Sequence, residues 1–180
     1  MSNKALKTPL RYPGGKSRAC TKMEQFFPDF SRYKEFREPF LGGGSVALHI
    51  SKMYPQLSIW VNDLYEPLVN FWQTIQDDGE NLQYMIWSLK NKYPDRDTAR
   101  ELFLEAKEKI NNEELSSRDR AAYFYIVNKC SFSGLTESSS FSPQASESNF
   151  SYRGIEKIIG YQQIIENWKI TNVSYEDLLT

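Results

Sequence analysis

The stretch Glu38-Pro39-Phe40-Leu41-Gly42-Gly43-Gly44 is followed by a carboxylate, Asp63, 19 residues after Gly44. Glycine lets a backbone turn tightly and lets a ligand approach where a Cβ would stand. A helix opening just after such a turn presents free N–H groups and a partial positive charge. An acid at the end of the following strand can accept hydrogen bonds from the hydroxyls of a ribose. Together these features predict a nucleoside-type ligand; a purely structural turn is the competing reading. The turn lacks the third glycine of the dinucleotide fingerprint G-x-G-x-x-G, and Ala47 stands in its place. Alanine is tolerated there, so NAD or FAD stays open on the residues alone.

The elements that would position this pair follow from local pattern. Residues 5–16 hold Pro9, Pro13, Gly14 and Gly15 and read as a loop. Residues 17–27 read as a helix with Ser17 at its N-cap. Residues 34–41 read as a short buried strand running into the glycines, and residues 45–53 as a helix ending near Pro55. Residues 57–62 are β-branched and aromatic, a second strand with Asp63 at its end. Residues 66–76 form the next helix, which completes a βαβα unit.

The middle of the chain has helical spacing of apolar residues over 80–93, 97–110 and 118–129, the pattern of a small bundle. Residues 131–151 then carry nine serines together with Phe132, Phe141 and Phe150. Serine richness predicts an irregular, mobile loop, and the spaced aromatics predict that it packs when a partner is present. Residues 154–166 return to helix, 169–173 to strand, and a helix starts at Tyr175.

Composition narrows the classes. With 180 residues, 40% hydrophobic and 25% charged, the chain has material for a real core and is neither collagen-like nor low-complexity. No apolar run approaches the roughly 18–20 residues of a membrane helix, so no membrane partner is expected. Residues 1–12 have lysines without an apolar stretch, which predicts no secretory leader. Two cysteines and one histidine make a zinc site or a disulfide framework an unsupported reading, so no metal is expected and a reducing cytoplasm is. Residues 1–37 carry nine Lys and Arg against three Asp and Glu, a net of +6, which leaves −7 for the rest. A basic end can be an anion footprint or a solvated face.

Several motifs, in order, resemble the Dam type of DNA adenine-N6 methyltransferases. Arg11-Tyr12-Pro13-Gly14-Gly15-Lys16 resembles their N-terminal motif, and Phe40-Leu41-Gly42-Gly43-Gly44 their F-x-G-x-G motif. Asn62-Asp63 with Glu66-Pro67 is similar to the next. Residues 128–134, Asn-Lys-Cys-Ser-Phe-Ser-Gly, resemble the N-[RK]-x-x-[FY]-[NS]-G segment of the target-recognition region, and Ser174-Tyr175 a position near the cofactor adenine. The resemblance runs from about residue 9 to residue 180. It implies an α/β, Rossmann-like half-sheet of an S-adenosylmethionine-dependent methyltransferase with an inserted helical target-recognition region. The implied division is a first core part at 1–79, a recognition insertion at 80–153 and a return to the core at 154–180.

The same resemblance implies S-adenosylmethionine as cofactor and an adenine in double-stranded DNA as target, in a prokaryotic or phage-infected cytoplasm. It implies cofactor contacts from Tyr12, Lys16, Phe40, Gly42, Gly44, Asp63, Ser174 and Tyr175. It implies DNA contacts from Asn128, Lys129, Ser131, Phe132, Ser133 and Gly134. Physical chemistry is compatible: a lysine beside two glycines reaches a carboxylate or phosphate, and an aromatic packs on a sulfonium. Enzymes of this kind flip the target base from the stack, and Phe132 is the candidate wedge for the gap; packing as loop core is its alternative. Charges from 128 to 157 balance, so a strongly electrostatic grip there is not expected.

The catalytic tetrapeptide the resemblance implies, Asp-Pro-Pro-Tyr or a near variant, is missing, because no two of the eight prolines are adjacent. No catalytic residue is therefore assigned. The expectation is a chain inactive alone, with a downstream C-terminal half as possible partner. The alternatives are a non-catalytic remnant that binds cofactor or DNA, and an unrelated nucleotide-binding or interaction domain.

Overall fold

The computed structural model describes residues 7–13, 16, 19–134 and 138–180. Among these, three parallel strands form one sheet in the order β1 (Glu35–Glu38), β2 (Ser58–Asn62), β3 (Trp168–Thr171). The helices are α1 (Cys20–Met23), α2 (Ser45–Met53), α3 (Glu66–Lys92), α4 (Arg96–Lys109), α5 (Ser117–Cys130), α6 (Pro143–Asn149), α7 (Tyr152–Glu156) and α8 (Ile158–Ile165), with short 3-10 turns between some of them. Six helices, α3 to α8, connect β2 to β3 with no strand between them among the described residues, so the parallel pairing needs a long crossover.

β2 is the sheet's centre because it pairs on both edges, with Val61 opposite Glu38 on one side and Ile170 on the other. Its alternation buries Ile59 and Val61 and leaves Trp60 on the other face. There the indole lies between the Arg37 guanidinium (4.8 Å) and the Lys169 ammonium (3.4 Å), and its Nε1 donates to Thr171 Oγ1 at 3.0 Å. Asn62, fully buried, pins the strand ends. Its Nδ2 donates to Val173 O (2.9 Å) and Pro39 O (3.3 Å), and its Oδ1 accepts from Thr171 Oγ1 and Val173 N–H, both at 2.9 Å. The C-terminal end of the sheet is thus held as one rim, which is where parallel sheets place ligands.

The helices and the sheet share one continuous apolar core. Trp72 of α3 meets Trp168 of β3 (ring centroids 5.8 Å), and Phe71 stacks on Tyr125 of α5 at 6.0 Å and 22°. Two helices expected at 66–76 and 80–93 are instead one helix, α3, bent at Asp78 (φ −147°, ψ 37°). The bend has local causes. Asp78 accepts from Asn81 Nδ2 and Arg118 Nε, both at 2.6 Å, and Gly79 lets Gln162 approach to where a Cβ would lie 2.9 Å away.

Three further expectations are corrected. The helix over 17–27 is shorter, α1 followed by a 3-10 turn at Glu24–Phe26, and Ser17 lies outside the described residues. The strand at 34–41 is confined to β1 and is half exposed rather than buried, because it is the sheet edge and only four residues find partners. The serine-rich tract is not irregular throughout. It contains α6, a bridge between Ser131 and Phe141, and Phe150 buried in the core. Its serines act as caps: Ser142 Oγ accepts from Ala145 N–H at 3.1 Å, and Ser151 Oγ from Gly154 N–H at 3.2 Å.

Candidate functional site

The glycine turn owes its shape to two left-handed residues, Gly42 (φ +50°) and Gly44 (φ +69°). A Cβ on Gly44 would stand 2.7 Å from Trp72 Cζ2, inside the fully buried indole's contact shell. A Cβ on Gly42 would stand 2.9 Å from Tyr12 Cε1, so the Tyr12 ring lies directly against the turn. Thr8 Oγ1 adds a short hydrogen bond to Gly43 O. The carboxylate of Asp63 reaches back from the end of β2: Oδ2 accepts from Gly42 N–H at 2.9 Å and Oδ1 from Tyr65 N–H at 3.0 Å. Asp63 therefore sets the turn itself, with its remaining lone pairs left for a ligand.

At the opening of α2, a cleft of about 200 Å³ is lined by Tyr12, Lys16, Glu38, Phe40 and the three glycines. Glu38 Oε2 accepts from Ala47 N–H, in the first turn of α2, at 3.0 Å. Burial pushes the Glu38 carboxyl up to about 8, with Asp63 adding to the rise and the Ala47 N–H and Lys16 opposing it. Burial and Asp63 likewise raise Tyr12. Glu38 was legible only as the residue before a proline in a strand; an acid that faces a helix N-terminus from within a strand leaves no pattern in the sequence.

Phe40 (66% exposed) and Tyr175 (40% exposed) form an aromatic pair on the rim, centroids 5.5 Å apart and tilted 36°. Ser174 caps the 3-10 turn Tyr175–Leu178, its Oγ accepting from Glu176 N–H at 3.4 Å. Of the eight cofactor candidates, Tyr12, Lys16, Phe40, Gly42 and Gly44 line the cleft. Asp63 joins it through Gly42, and Tyr175 joins it through Phe40. Ser174 positions Tyr175 through the turn.

The second candidate set sits where α5 ends. Asn128 pairs with the backbone of Arg11 in both directions, its Oδ1 accepting from Arg11 N–H at 2.9 Å and its Nδ2 donating to Arg11 O at 2.6 Å. Nδ2 also donates to Gly134 O at 3.2 Å. Arg11 Nη1 donates to Ser131 O at 2.7 Å, and a Cβ on Gly134 would stand 2.5 Å from Arg11 Cβ. Asn128, Ser131 and Gly134 are buried, and their polar groups hydrogen-bond within the turn and to Arg11. Lys129 is largely covered, its ammonium 5.2 Å from the Tyr125 ring centroid, and burial with Arg11 nearby lowers it to about 8. What remains outward is Phe132, 68% exposed, and Ser133, held at φ +61°. Phe132 is thus not loop core.

The matches to known proteins fall on this arrangement. The family model for D12 class N6 adenine-specific DNA methyltransferases matches residues 12–180. The chain belongs to that family. Among curated relatives it is similar to a type II methyltransferase, M.MjaIII, of Methanocaldococcus jannaschii, at 24% identity over 70% of this chain and 46% of that protein. It is also similar to a DNA N-6-adenine-methyltransferase of Escherichia phage P1, at 29% identity over 79% of this chain and 17% of that protein. A third is a type II methyltransferase, M1.LlaDCHI, of Lactococcus lactis, at 24% identity over 69% of this chain and 41% of that protein. The matched stretch spans less than half the length of each of these relatives. Among the described residues no cluster of His, Cys, Asp and Glu has the makeup of a metal site, and no helix is long and apolar enough to cross a membrane.

Proposed function

We propose that the protein takes part in S-adenosylmethionine-dependent methylation of adenine N6 in double-stranded DNA, with the cofactor in the cleft at the opening of α2. In this reading the chain is a Rossmann-like half-sheet, and the helices between β2 and β3 are its recognition insertion. Its setting is a prokaryotic or phage-infected cytoplasm. The observation that carries the reading is the convergence of Tyr12, Lys16, Glu38 and the glycine turn on one cleft whose shape Asp63 locks. That donor set fits the cofactor. An ammonium and a carboxyl suit the two charged ends of an amino-acid group, and an aromatic face suits a sulfonium.

S-adenosylmethionine, when bound, supplies an electrophilic methyl group. The chain's residues do the rest of the work assigned to them here. Lys16 and Glu38 orient the amino-acid end, Asp63 accepts from ribose hydroxyls, and Phe40 with Tyr175 gives the adenine a face. Phe132 stands ready to fill the gap left by a flipped base. The 180 residues contain no Pro-Pro pair, and no residue is assigned to the transfer step itself.

Isothermal titration with S-adenosylmethionine tests the reading. Asp63→Ala is expected to weaken binding by about 30–150-fold, the equivalent of about 2–3 kcal/mol for a lost charged acceptor. Unchanged affinity in a folded Asp63→Ala protein would overturn the site. Tight binding of ATP with none of S-adenosylmethionine would favour a plain nucleotide-binding domain instead.

A further inference from the structure

The cleft beside α4 has no part in the cofactor reading. It measures about 630 Å³ and runs between one face of α4 and residues 139–141. Arg96, Arg100 and Lys107 stand along it at spacings of four and seven residues, which is one helical stripe, against a single carboxylate in the lining, Asp97. Eleven residues of rise make the stripe about 16 Å long. Its floor is Phe103, with Leu104 52% exposed at the edge. Arg100 is exposed and has no ion-pair partner among the described residues. Arg96 has only a loose contact with Asp97 at 4.0 Å, both side chains more than half exposed. Lys107 Nζ donates to Ser139 O at 2.8 Å, which ties the far wall to the helix.

That far wall is also the support of Phe132. Ser140 O accepts from Phe132 N–H at 3.0 Å, and Ser131 bridges to Phe141. The basic stripe and the exposed aromatic therefore meet through one hydrogen-bonded wall. Residues 128–157 carry no net charge of their own, so an aromatic there gains from a cationic surface on the neighbouring helix.

We infer that the α4 cleft is a phosphate track: Arg96, Arg100 and Lys107 hold the backbone of one strand of the duplex whose stack Phe132 enters. This rests on the DNA-methylation reading above and adds to it the surface that grips the backbone. Each strand of a duplex offers one phosphate per 3.4 Å of axis, so about 16 Å spans four or five phosphates, enough to meet three cations. Phosphate contacts of this kind position a protein without reading sequence.

The test is fluorescence-anisotropy binding of the protein to an adenine-containing duplex across a salt series. The pair Arg96→Ala/Arg100→Ala is compared with Arg32→Ala/Lys34→Ala, which removes the same charge from the segment before β1. Each lost phosphate contact lowers the log–log salt slope by about 0.9, so the α4 pair is expected to lose about 1.8 of slope and roughly 60-fold in affinity near 0.1 M salt. The control pair is expected to keep the slope, and melting of all proteins to stay within a few degrees. If the parent binds and the α4 pair binds with the same slope, the track is wrong while the DNA reading stands. If the folded parent does not bind duplex at all, both fall together. If both pairs lose equally, the grip is diffuse and the track is wrong.

Discussion

Substituting Gly44 by alanine tests whether the glycine turn is shaped by physical necessity. Two costs add. An alanine held at φ +69° carries about 1–2 kcal/mol of left-handed strain. Its methyl would stand 2.7 Å from Cζ2 and 3.1 Å from Cη2 of Trp72. That ring is fully buried, abuts Trp168 and donates from Nε1 to Gly42 O at 3.4 Å, so it has nowhere soft to move. Overpacking of such a site costs about 1–3 kcal/mol. We predict a loss of about 2–5 kcal/mol for Gly44→Ala in urea unfolding at fixed pH, with a parallel loss of S-adenosylmethionine affinity in the protein that remains folded. Gly160→Ala is the matched control. Gly160 lies in α8 with open space where its Cβ would be, so alanine there should stabilise by about 0.5–1 kcal/mol through helix propensity alone. If Gly44→Ala unfolds at the same urea concentration as the parent, the strain argument fails.

Three further outcomes are expected. Glu38 binds its proton up to about pH 8 in the folded state but releases it near 4.5 when unfolded, so the unfolded chain holds fewer protons between those values and stability falls as pH rises through that window. Solvent at this part-exposed group trims the effect to about 1–2 kcal/mol, and Glu38→Gln should remove that slope in unfolding curves taken from pH 5.5 to 8.5; an unaltered slope would count against the assignment. Asn128→Ala strands the part-buried N–H and C=O of Arg11 and the buried C=O of Gly134, and calorimetric melting should report a loss of about 1–3 kcal/mol. Phe132→Ala should leave melting within about 0.5 kcal/mol of the parent, because the ring is 68% exposed, while weakening duplex binding by about 5–150-fold; the reverse pattern would make Phe132 a structural residue.

What the sequence disclosed and what it hid divide along the range of the interactions. α2 was legible to the residue because a left-handed glycine stands before it and Tyr54-Pro55 after it, both local signals. The break expected between residues 76 and 80 is instead a bend, stabilised by Arg118 and accommodating Gln162, partners 40 and 83 residues away in sequence. The serine-rich tract misled for a related reason. Serine is a loop former in isolation, yet Ser142 and Ser151 each open a helix, and Phe141 and Phe150 find apolar partners only after α4 and α5 have assembled. At the site, the glycines and Asp63 were readable because their spacing is fixed by one βαβ unit. The basic stripe on α4 was hidden because its significance depends on a wall supplied by residues 139–141.

The segment from Thr8 to Tyr12 connects two motif sets that are far apart in sequence. Thr8 and Tyr12 lie against the glycine turn. Between them Arg11 is clasped by Asn128 and reaches Ser131, 120 residues on. One short segment therefore touches the glycine-turn cleft with one residue and the base of the Phe132 turn with its neighbour. Asn128 holds the backbone of Arg11, so the base of the Phe132 turn and the Tyr12 ring are anchored at adjacent residues of the chain. In the methylation reading this geometry ties the position of the wedge to the position of the methyl donor, which is what a reaction between a flipped base and a bound cofactor requires.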